Sequence, residues 1–241
     1  MGTLDKANEA ARGLHKALQE IKIDPLMYAE LGGRALPAQK LIAEATGFNV
    51  RYPGGNEWVF DHDLDFTWRG NTRIALKGGN GSGKSTLLKA LLGKLPQGTD
   101  LRGKLNLGNC EVLYLDQHGG GLDEDKNVFE NIRAVSSAPD TEIRNQLAGF
   151  LFTRDTAFQP VKTLSGGERL RAALAKGFLG RGFLGATVPN LLILDEPTNN
   201  LDLANITFLE KVLARFQGAV IVISHDETFL TNCGLTGEIV L

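Results

Sequence analysis

A glycine-rich segment constrains what this chain can fold into more than any other feature of its sequence. The segment reads Gly78-Gly79-Asn80-Gly81-Ser82-Gly83-Lys84-Ser85-Thr86 and fits the pattern GxxxxGK[ST]. Its glycines allow several backbone N–H groups to meet phosphate oxygens at once, because side chains would hold the backbone farther away. Lys84 adds a positive charge, and the Ser85 hydroxyl is placed to ligate Mg²⁺. The segment therefore predicts a site for nucleotide phosphates.

The surroundings of this segment favour a binding loop over the alternative, a glycine-rich structural turn. The apolar run at 74–76 predicts a strand before the segment, and an apolar helix is predicted from Ser85 to about Leu92. Further short apolar runs, typical of strands buried on both faces, lie at 112–115, 191–194 and 219–223. Helical patterns separate these runs and lie at 141–152, 168–179 and 203–216. We therefore predict an α/β fold with a largely parallel sheet.

A second kind of sheet is predicted in the region that begins at residue 41. Leu64, Phe66 and Trp68 alternate with polar residues, which is the period of a strand with one exposed face. This alternation indicates a half-exposed antiparallel β layer in addition to the parallel sheet.

The composition excludes several classes of protein. The chain has 241 residues and a formal net charge of −2, so its overall charge gives no attraction to nucleic acid or to an anionic membrane. Its longest apolar runs are far shorter than the roughly 20 residues that span a bilayer. No signal peptide is recognisable, and we expect a cytoplasmic protein without direct membrane insertion. Cys110 and Cys233 lack a metal-ligand spacing, so we expect neither a disulfide framework nor a zinc site.

The first 40 residues differ in pattern from the rest of the chain. Apolar residues recur at alternating steps of three and four between Leu4 and Ile21, which predicts a helix over 3–23. This helix either pairs with another helix or lies on its own domain, and the pattern leaves both interpretations open. A linker is predicted to follow it. We therefore divide the chain into an N-terminal helix and linker at 1–40 and one domain at 41–241.

Two acidic residues follow the apolar run at 191–194. Asp195 comes at the end of a predicted buried strand, where open α/β sheets place their ligand chemistry. Its carboxylate can hold Mg²⁺, usually through water. Glu196 comes next and can reach an attacking water as a general base. A solvated turn would explain an Asp-Glu pair by itself, but the phosphate loop earlier in the chain favours the catalytic interpretation.

A second glycine-containing segment, Leu164-Ser165-Gly166-Gly167-Glu168, precedes the helical pattern at 168–179. Ser165 and Glu168 have the spacing of a capping box, which explains those two residues structurally. Gly166 and Gly167 need another reason, because glycine in a helix is less stable than alanine by about 1 kcal/mol. We expect a close approach to the backbone at these glycines, and an anion at the helix N-terminus is the natural candidate.

The order of these motifs resembles the motif series of the ATP-binding cassette (ABC) family. The residues that carry the resemblance are Lys84, Gln117, Ser165-Gly166-Gly167-Glu168, Asp195-Glu196, Asp202 and His225. It implies a P-loop NTPase (RecA-like) core with an antiparallel β layer and a helical signature subdomain at approximately 118–186. It also implies ATP and Mg²⁺ as ligands, and an ATPase whose catalytic residues are Glu196, His225 and Gln117.

The resemblance also implies roles in nucleotide binding. Tyr52 would stack on adenine, with Trp58 as the competing ring and a place in the core as the alternative for both. Gln117 would sense Mg²⁺ and the attacking water. The metal set would then consist of Ser85, Gln117 and Asp195, and the γ-phosphate would be contacted by His225.

The remaining motif residues would act between two cassettes. The signature residues 165–168 would complete the ATP site of a second cassette, with Asp202 helping to couple the two. That second cassette would be the upstream half of the same natural protein or the mate in a homodimer. Neither site would be complete on one chain, so we expect weak ATP hydrolysis from the isolated chain.

A finer resemblance is to the ABC-F group, soluble proteins with two cassettes joined by a helical linker, many of which act on ribosomes. It rests on the segments at 149–152, 164–169, 194–202 and 224–230, and the predicted helix at 4–21 agrees with a linker entering a C-terminal cassette. The ribosome is therefore a candidate partner. The alternatives are the nucleotide-binding subunit of an ABC membrane transporter, with separate spanning subunits, and a module that holds ATP with little turnover.

Two features depart from the ABC-F pattern. Asn200 stands where members of that group usually have histidine. The connection at 176–189 is longer than usual and rich in glycine and phenylalanine. Residues 177–185 are predicted to form a loop packed by its own phenylalanines, with a partner-binding patch as the alternative.

Overall fold

The computed structural model describes residues 35–116, 121–152, 155–182 and 188–241. The predicted N-terminal helix and Gln117 lie outside these ranges. The strands are β1 (Leu41–Arg51), β2 (Leu64–Arg69), β3 (Arg73–Lys77), β4 (Asp100–Leu107), β5 (Val112–Leu115), β6 (Leu191–Asp195), β7 (Ala219–Ile223) and β8 (Gly237–Val240). The α-helices are α1 (Lys84–Leu91), α2 (Val128–Arg133), α3 (Asp140–Gly149), α4 (Gly166–Gly182), α5 (Leu203–Arg215) and α6 (Glu227–Asn232).

Five strands form a parallel sheet in the order β5-β6-β7-β3-β8. The inner strands β6 and β7 are buried except at Asp195, because their apolar side chains are covered on both faces. β5 is an edge strand, and only Leu115 of its four residues is fully buried, so the prediction that 112–115 is buried on both faces is wrong. Since all five strands run in one direction, the carboxyl ends of β3, β6 and β7 meet at one edge of the sheet.

The other three strands form an antiparallel sheet in the order β2-β1-β4. Its apolar residues Phe48 and Trp68 share a core with Leu87 of α1. Buried Asn49 of β1 holds the segment before β2, because its Nδ2 donates to the Phe60 carbonyl at 2.9 Å and its Oδ1 accepts from the Phe60 N–H at 3.1 Å. The antiparallel layer is therefore as predicted, and it fixes the position of Phe60.

Helices α2, α3 and α4 contact one another and share the second core with α5 and the parallel sheet. Helix α4 continues to Gly182, so the loop predicted for 177–185 is helical as far as that residue. Phe178 is buried in the core, and Gly177 allows α4 to lie against Leu113 of β5. The loop prediction is wrong here because close helix packing, rather than a turn, requires the glycine.

The α/β class, the parallel core and the antiparallel layer all agree with the sequence-based predictions. Within the described ranges, no helix combines the length and the apolar character needed to cross a membrane.

Candidate nucleotide site

The glycine-rich segment joins β3 to α1, as predicted. Gly78, Gly81 and Gly83 have φ angles of 145°, 86° and 98°, which L side chains rarely adopt. A Cβ at Gly83 would also come within 2.7 Å of Val59 and 2.6 Å of Phe60. The antiparallel layer therefore supports this loop directly, through the segment that contains Phe60.

The loop has the polar groups and the open space that a phosphate requires. Lys84 Nζ donates to the carbonyls of Gly78 at 2.8 Å and Gly79 at 2.9 Å, which brings its charge to the surface of the loop. Ser82 Oγ is buried and has no hydrogen-bond partner in the described part of the chain. A Cβ at Gly79 or Gly81 would meet no atom within 4 Å. A cation, an unpaired hydroxyl and accessible backbone together suit an anion.

A cavity of about 290 Å³ lies beside this loop. Its lining comes from the loop and α1 (Asn80, Gly81, Gly83, Lys84, Ser85, Thr86), from the end of β6 (Asp195, Glu196) and from the end of β7 (Ile223, His225). The structure thus brings together two predicted oxygen ligands for Mg²⁺, Ser85 and Asp195, with the predicted catalytic residues Glu196 and His225. This edge of a parallel sheet is where α/β folds usually bind ligands.

Asp195 is oriented by a residue that the motifs did not identify. Tyr114 of β5 donates a hydrogen bond from its hydroxyl to Asp195 Oδ2 at 3.3 Å. Burial raises the pKa of Asp195, and the bond from Tyr114 offsets part of that rise. The pKa of Tyr114 is raised strongly, first by burial and then by the Asp195 charge, so Tyr114 remains a donor. The register that pairs Tyr114 with Ile193, rather than any sequence spacing, creates this contact.

Glu196 is held in an unusual backbone conformation. Its φ is 49°, a left-handed value that is rare for a residue other than glycine and is concentrated at functional sites. Its N–H donates to the Ile223 carbonyl at 2.9 Å, which fixes the end of β6 to the end of β7. Glu196 Oε1 lies 3.3 Å from Nε2 of His225. The two predicted catalytic residues are therefore in direct contact.

Tyr52 and Trp58 occupy different environments. The Tyr52 hydroxyl is 3.0 Å from Thr86 Oγ1, so this tyrosine is joined to the glycine-rich segment. Trp58 packs against the guanidinium groups of Arg51 and Arg102, which lie 5.1 Å and 4.2 Å from its ring centroid. Of the two candidate rings for adenine, Tyr52 is thus the one hydrogen-bonded to the loop.

The signature residues 165–168 form the predicted capping box at the start of α4. The Ser165 hydroxyl donates to Glu168 Oε2 at 2.7 Å, and the Ser165 N–H donates to the same oxygen at 2.8 Å. These two bonds, led by the hydroxyl, lower the pKa of Glu168. Among the described residues that line the cavity, none belongs to the signature. The segment 165–168 is therefore not part of the cavity beside the phosphate loop.

The two glycines of the signature have different neighbours. A Cβ at Gly166 would come no closer than 3.5 Å to any described neighbour, which is the carbonyl of Asn200. A Cβ at Gly167 would overlap the side chain of Asn205. The close approach that we predicted for Gly167 is thus made by a side chain of the same chain, whereas Gly166 remains accessible.

Asp202 marks the start of α5. Its Oδ1 accepts from the N–H of Asn205 at 2.8 Å, which makes Asp202 the N-cap of that helix. Asn200, two residues earlier, has a φ of 59°, a conformation that asparagine tolerates better than most residues. The loop at 199–202 therefore has a defined shape and lies beside the signature.

Comparison with known proteins agrees with this arrangement. Residues 62–199 match the family model described as ABC transporter. The chain is similar to the ATP-binding protein Uup of Escherichia coli, with 42% identity over 166 residues that cover 66% of this chain and 25% of that protein. It is also similar to the ATP-binding cassette sub-family F member 3 of Pongo abelii, with 38% identity over 161 residues, 66% of this chain and 21% of that protein.

The comparison of structures supports the same fold. A bacterial Atm1-family ABC exporter, solved with ATP bound, superimposes with a TM-score of 0.66 and 17% identity, over 87% of this chain and 38% of that chain. At that identity the likeness shows the fold alone. The matched regions span only 25% and 21% of the two protein relatives.

Proposed function

Because this chain belongs to the ATP-binding cassette (ABC) family, we propose that it binds and hydrolyses ATP as one of two paired cassettes of the ABC-F type. The observation that carries this proposal is the division of its motifs between two places. Lys84, Asp195 and Glu196 line one cavity, whereas the signature residues 165–168 do not. One chain therefore has the parts that bind and hydrolyse a nucleotide, but it directs the signature elsewhere.

Binding begins with the glycine-rich loop. Its accessible N–H groups and Lys84 hold the phosphates, because they provide several donors and one charge at close range. Lys84 exchanges its present bonds to the Gly78 and Gly79 carbonyls for phosphate oxygens. Tyr52 supplies the ring for adenine, since it is already joined to Thr86.

Mg²⁺ supplies charge that stabilises the phosphate groups during transfer. Ser85 and Asp195 are the described residues that would hold it, through a hydroxyl and a carboxylate at the edge of the cavity. Tyr114 keeps the Asp195 carboxylate in place. Gln117 remains a predicted third member of this set.

Glu196 orients the attacking water and accepts its proton. His225 contacts the Glu196 carboxylate and holds it toward the cavity. The catalytic pair thus lies at the ends of two neighbouring strands, so its geometry depends on the parallel sheet rather than on a flexible loop.

A second cassette completes the site. Its Ser165 and the N-terminus of its α4 stabilise charge on the transferred phosphoryl group, because a helix N-terminus favours an anion. Pairing is therefore coupled to ATP. The similarity to a protein named ATP-binding cassette sub-family F member 3 supports the ABC-F type. The resemblance of the motifs to that group adds a cytoplasmic protein and the ribosome as a partner to this proposal.

Pairing is tested with the Glu196→Gln chain, which should bind ATP without consuming it. Sedimentation velocity should show a monomer without nucleotide and a dimer with Mg-ATP. Adding Lys84→Ala should abolish the ATP-dependent dimer, whereas adding Lys104→Ala, which changes an exposed lysine of β4, should not. A Glu196→Gln chain that binds ATP and remains monomeric up to high concentration contradicts the pairing.

The ribosomal part needs its own experiment. The Glu196→Gln form of a complete two-cassette protein should cosediment with ribosomes more strongly in ATP than in ADP. Equal cosedimentation in the two nucleotides would remove the ribosome from the proposal and leave the ATPase intact.

A further inference from the structure

The N-cap of α5 is connected to the signature helix α4 through a single side chain. Asn205 Nδ2 donates to Asp202 Oδ1 at 2.8 Å, and Asn205 Oδ1 accepts a hydrogen bond from Arg171 Nη1. We propose that Asn205 is a positioning residue that joins the signature to the loop at 199–202, so that one cassette presents both to its partner as one unit. This inference deepens the proposed function and rests on it for the role of the partner.

The shape of α4 is matched to this side chain. Asn205 is only 8% exposed and lies where a Cβ of Gly167 would be. A residue larger than glycine at that position would push Asn205 away from Asp202. The packing of Asn205 therefore explains why residue 167 is a glycine. This explanation is separate from an approach of a nucleotide at Gly166.

The bond from Arg171 is the second half of the connection. Burial lowers the pKa of Arg171, while the charges of Glu168 and Asp202 act in the opposite direction. Its guanidinium lies over the ring of Phe152, 5.8 Å from the centroid, and its Nε is buried without a partner in the described residues. Because Nε of this half-buried guanidinium already lacks a partner, loss of the bond to Asn205 would leave a second donor of Arg171 unsatisfied, so this bond favours the present contact between α4 and α5.

The backbone places the loop at 199–202 next to the start of α4. The Asn200 carbonyl is the nearest described neighbour to the Cβ position of Gly166, at 3.5 Å. The loop at 199–202 and the start of α4 therefore form adjacent parts of one surface. A displacement of either part that broke the Asn205 side-chain bonds would leave Arg171 Nη1 without this acceptor and would leave Asp202 Oδ1 with only the bond from the Asn205 N–H.

The variant Asn205→Ala separates this role from simple helix capping. It removes both side-chain bonds but keeps the bond from the residue 205 N–H to Asp202 Oδ1, so the cap of α5 is retained. Thr207→Val is the matched control, because the hydroxyl of the partly exposed Thr207 donates to the Leu203 carbonyl within α5, so its removal changes a hydrogen bond that stays inside that helix.

Hydrogen exchange of the complete chain tests the connection. Asn205→Ala should accelerate exchange about tenfold in peptides from both the start of α4 and the start of α5, as loss of a buried hydrogen bond would. Thr207→Val should leave α4 unchanged. Acceleration confined to α5, or no change in either helix, overturns the proposal.

ATP-dependent dimerisation is a second measurement, and it would not change if Asn205 only stabilised the structure near it. In the Glu196→Gln background, Asn205→Ala should weaken ATP-dependent dimerisation about tenfold while the Kd for ATP in the monomer changes less than about twofold. If dimerisation is unchanged while hydrogen exchange is faster in both helices, Asn205 joins the two elements only within the monomer. That result would overturn its proposed role in presenting them to the second cassette. If the reference chain never dimerises, the proposed function fails, and hydrogen exchange still decides whether Asn205 joins the two elements.

Discussion

His225 Nε2 lies 3.3 Å from Glu196 Oε1, although 61% of the histidine side chain is exposed and only 17% of the glutamate side chain. The contact joins residues that follow neighbouring strands, β7 and β6. An exposed imidazole therefore limits the positions of a largely buried carboxylate beside the phosphate loop. The proposed mechanism requires a carboxylate at this position that can accept a proton from the attacking water.

The variant Glu196→Gln tests that requirement. The amide has nearly the same size, so ATP should bind with a Kd within about twofold of the original, whereas phosphate release should fall by roughly 100-fold or more. Fluorescent-nucleotide titration and a phosphate-release assay measure the two effects. Glu227→Gln is the control, because Glu227 is an exposed carboxylate paired with Lys77 outside the cavity. Normal turnover by Glu196→Gln would assign the base to another residue.

The variant Tyr114→Phe tests the orientation of Asp195. It removes the 3.3 Å hydrogen bond and keeps the ring, so the apparent affinity for Mg²⁺ in the presence of ATP should fall roughly tenfold. Binding of ATP without Mg²⁺ should not change. Titration calorimetry at several Mg²⁺ concentrations measures both. The idea that Tyr114 positions Asp195 is wrong if the dependence on Mg²⁺ matches that of the original chain.

The capping box predicts a pH dependence of stability. The pKa of Glu168 is lowered from its ordinary 4.5, chiefly by the Ser165 hydroxyl, so the folded state favours the ionised carboxylate. This stabilisation is fully present above the unfolded pKa and is lost as the pH falls through the lower, folded pKa. Urea unfolding should therefore show Glu168→Gln less stable than the original chain at pH 7, with the difference shrinking below about pH 4.5.

The control for this prediction is Ser165→Ala. It removes the larger of the two causes of the lowered pKa, so the further change Glu168→Gln should then cost less stability at pH 7. If the difference in stability between the original chain and the Glu168→Gln variant stayed constant from pH 7 to pH 3, the carboxylate charge would contribute nothing.

The variant Gly167→Ala should change stability in opposite directions in two backgrounds. With Asn205 present, the new methyl group overlaps that side chain and should destabilise the fold by about 1–3 kcal/mol. Asn205→Ala removes the three atoms nearest to that methyl position, so alanine should then stabilise α4 by up to about 1 kcal/mol over glycine. Thermal unfolding of the four chains measures this cycle. The same sign in both backgrounds would show that Asn205 does not explain the glycine.

Much of the fold is predictable from local patterns. The continuous apolar runs predict β6 and β7 because these strands are buried on both faces, and the glycine-rich segment predicts the strand, loop and helix around it. β4 shows no such pattern, since its first five residues are exposed. Gly177 and Gly180 indicate a loop in sequence, yet both lie in α4, where a Cβ would overlap the side chains of Leu113 and Val135 respectively.

The candidate site was predictable only in part, because some of its contacts depend on how separate elements pack together. Motif residues such as Lys84 and Glu196 have fixed places relative to the strands, so their convergence on one cavity follows from the parallel sheet. Tyr114 and Asn205 act through contacts between elements, which depend on strand register and helix packing. No spacing along the chain identifies such contacts.

The specific ATPase activity of the isolated chain, measured as a function of its concentration, tests the central claim most directly. If the signature of one cassette completes the cavity of another, activity per chain should be low and should rise with concentration as pairs form. The same rise should be lost in Ser165→Ala, which keeps the whole cavity but changes the signature. Fast turnover that is independent of concentration would show that one chain contains a complete site, and it would contradict this account.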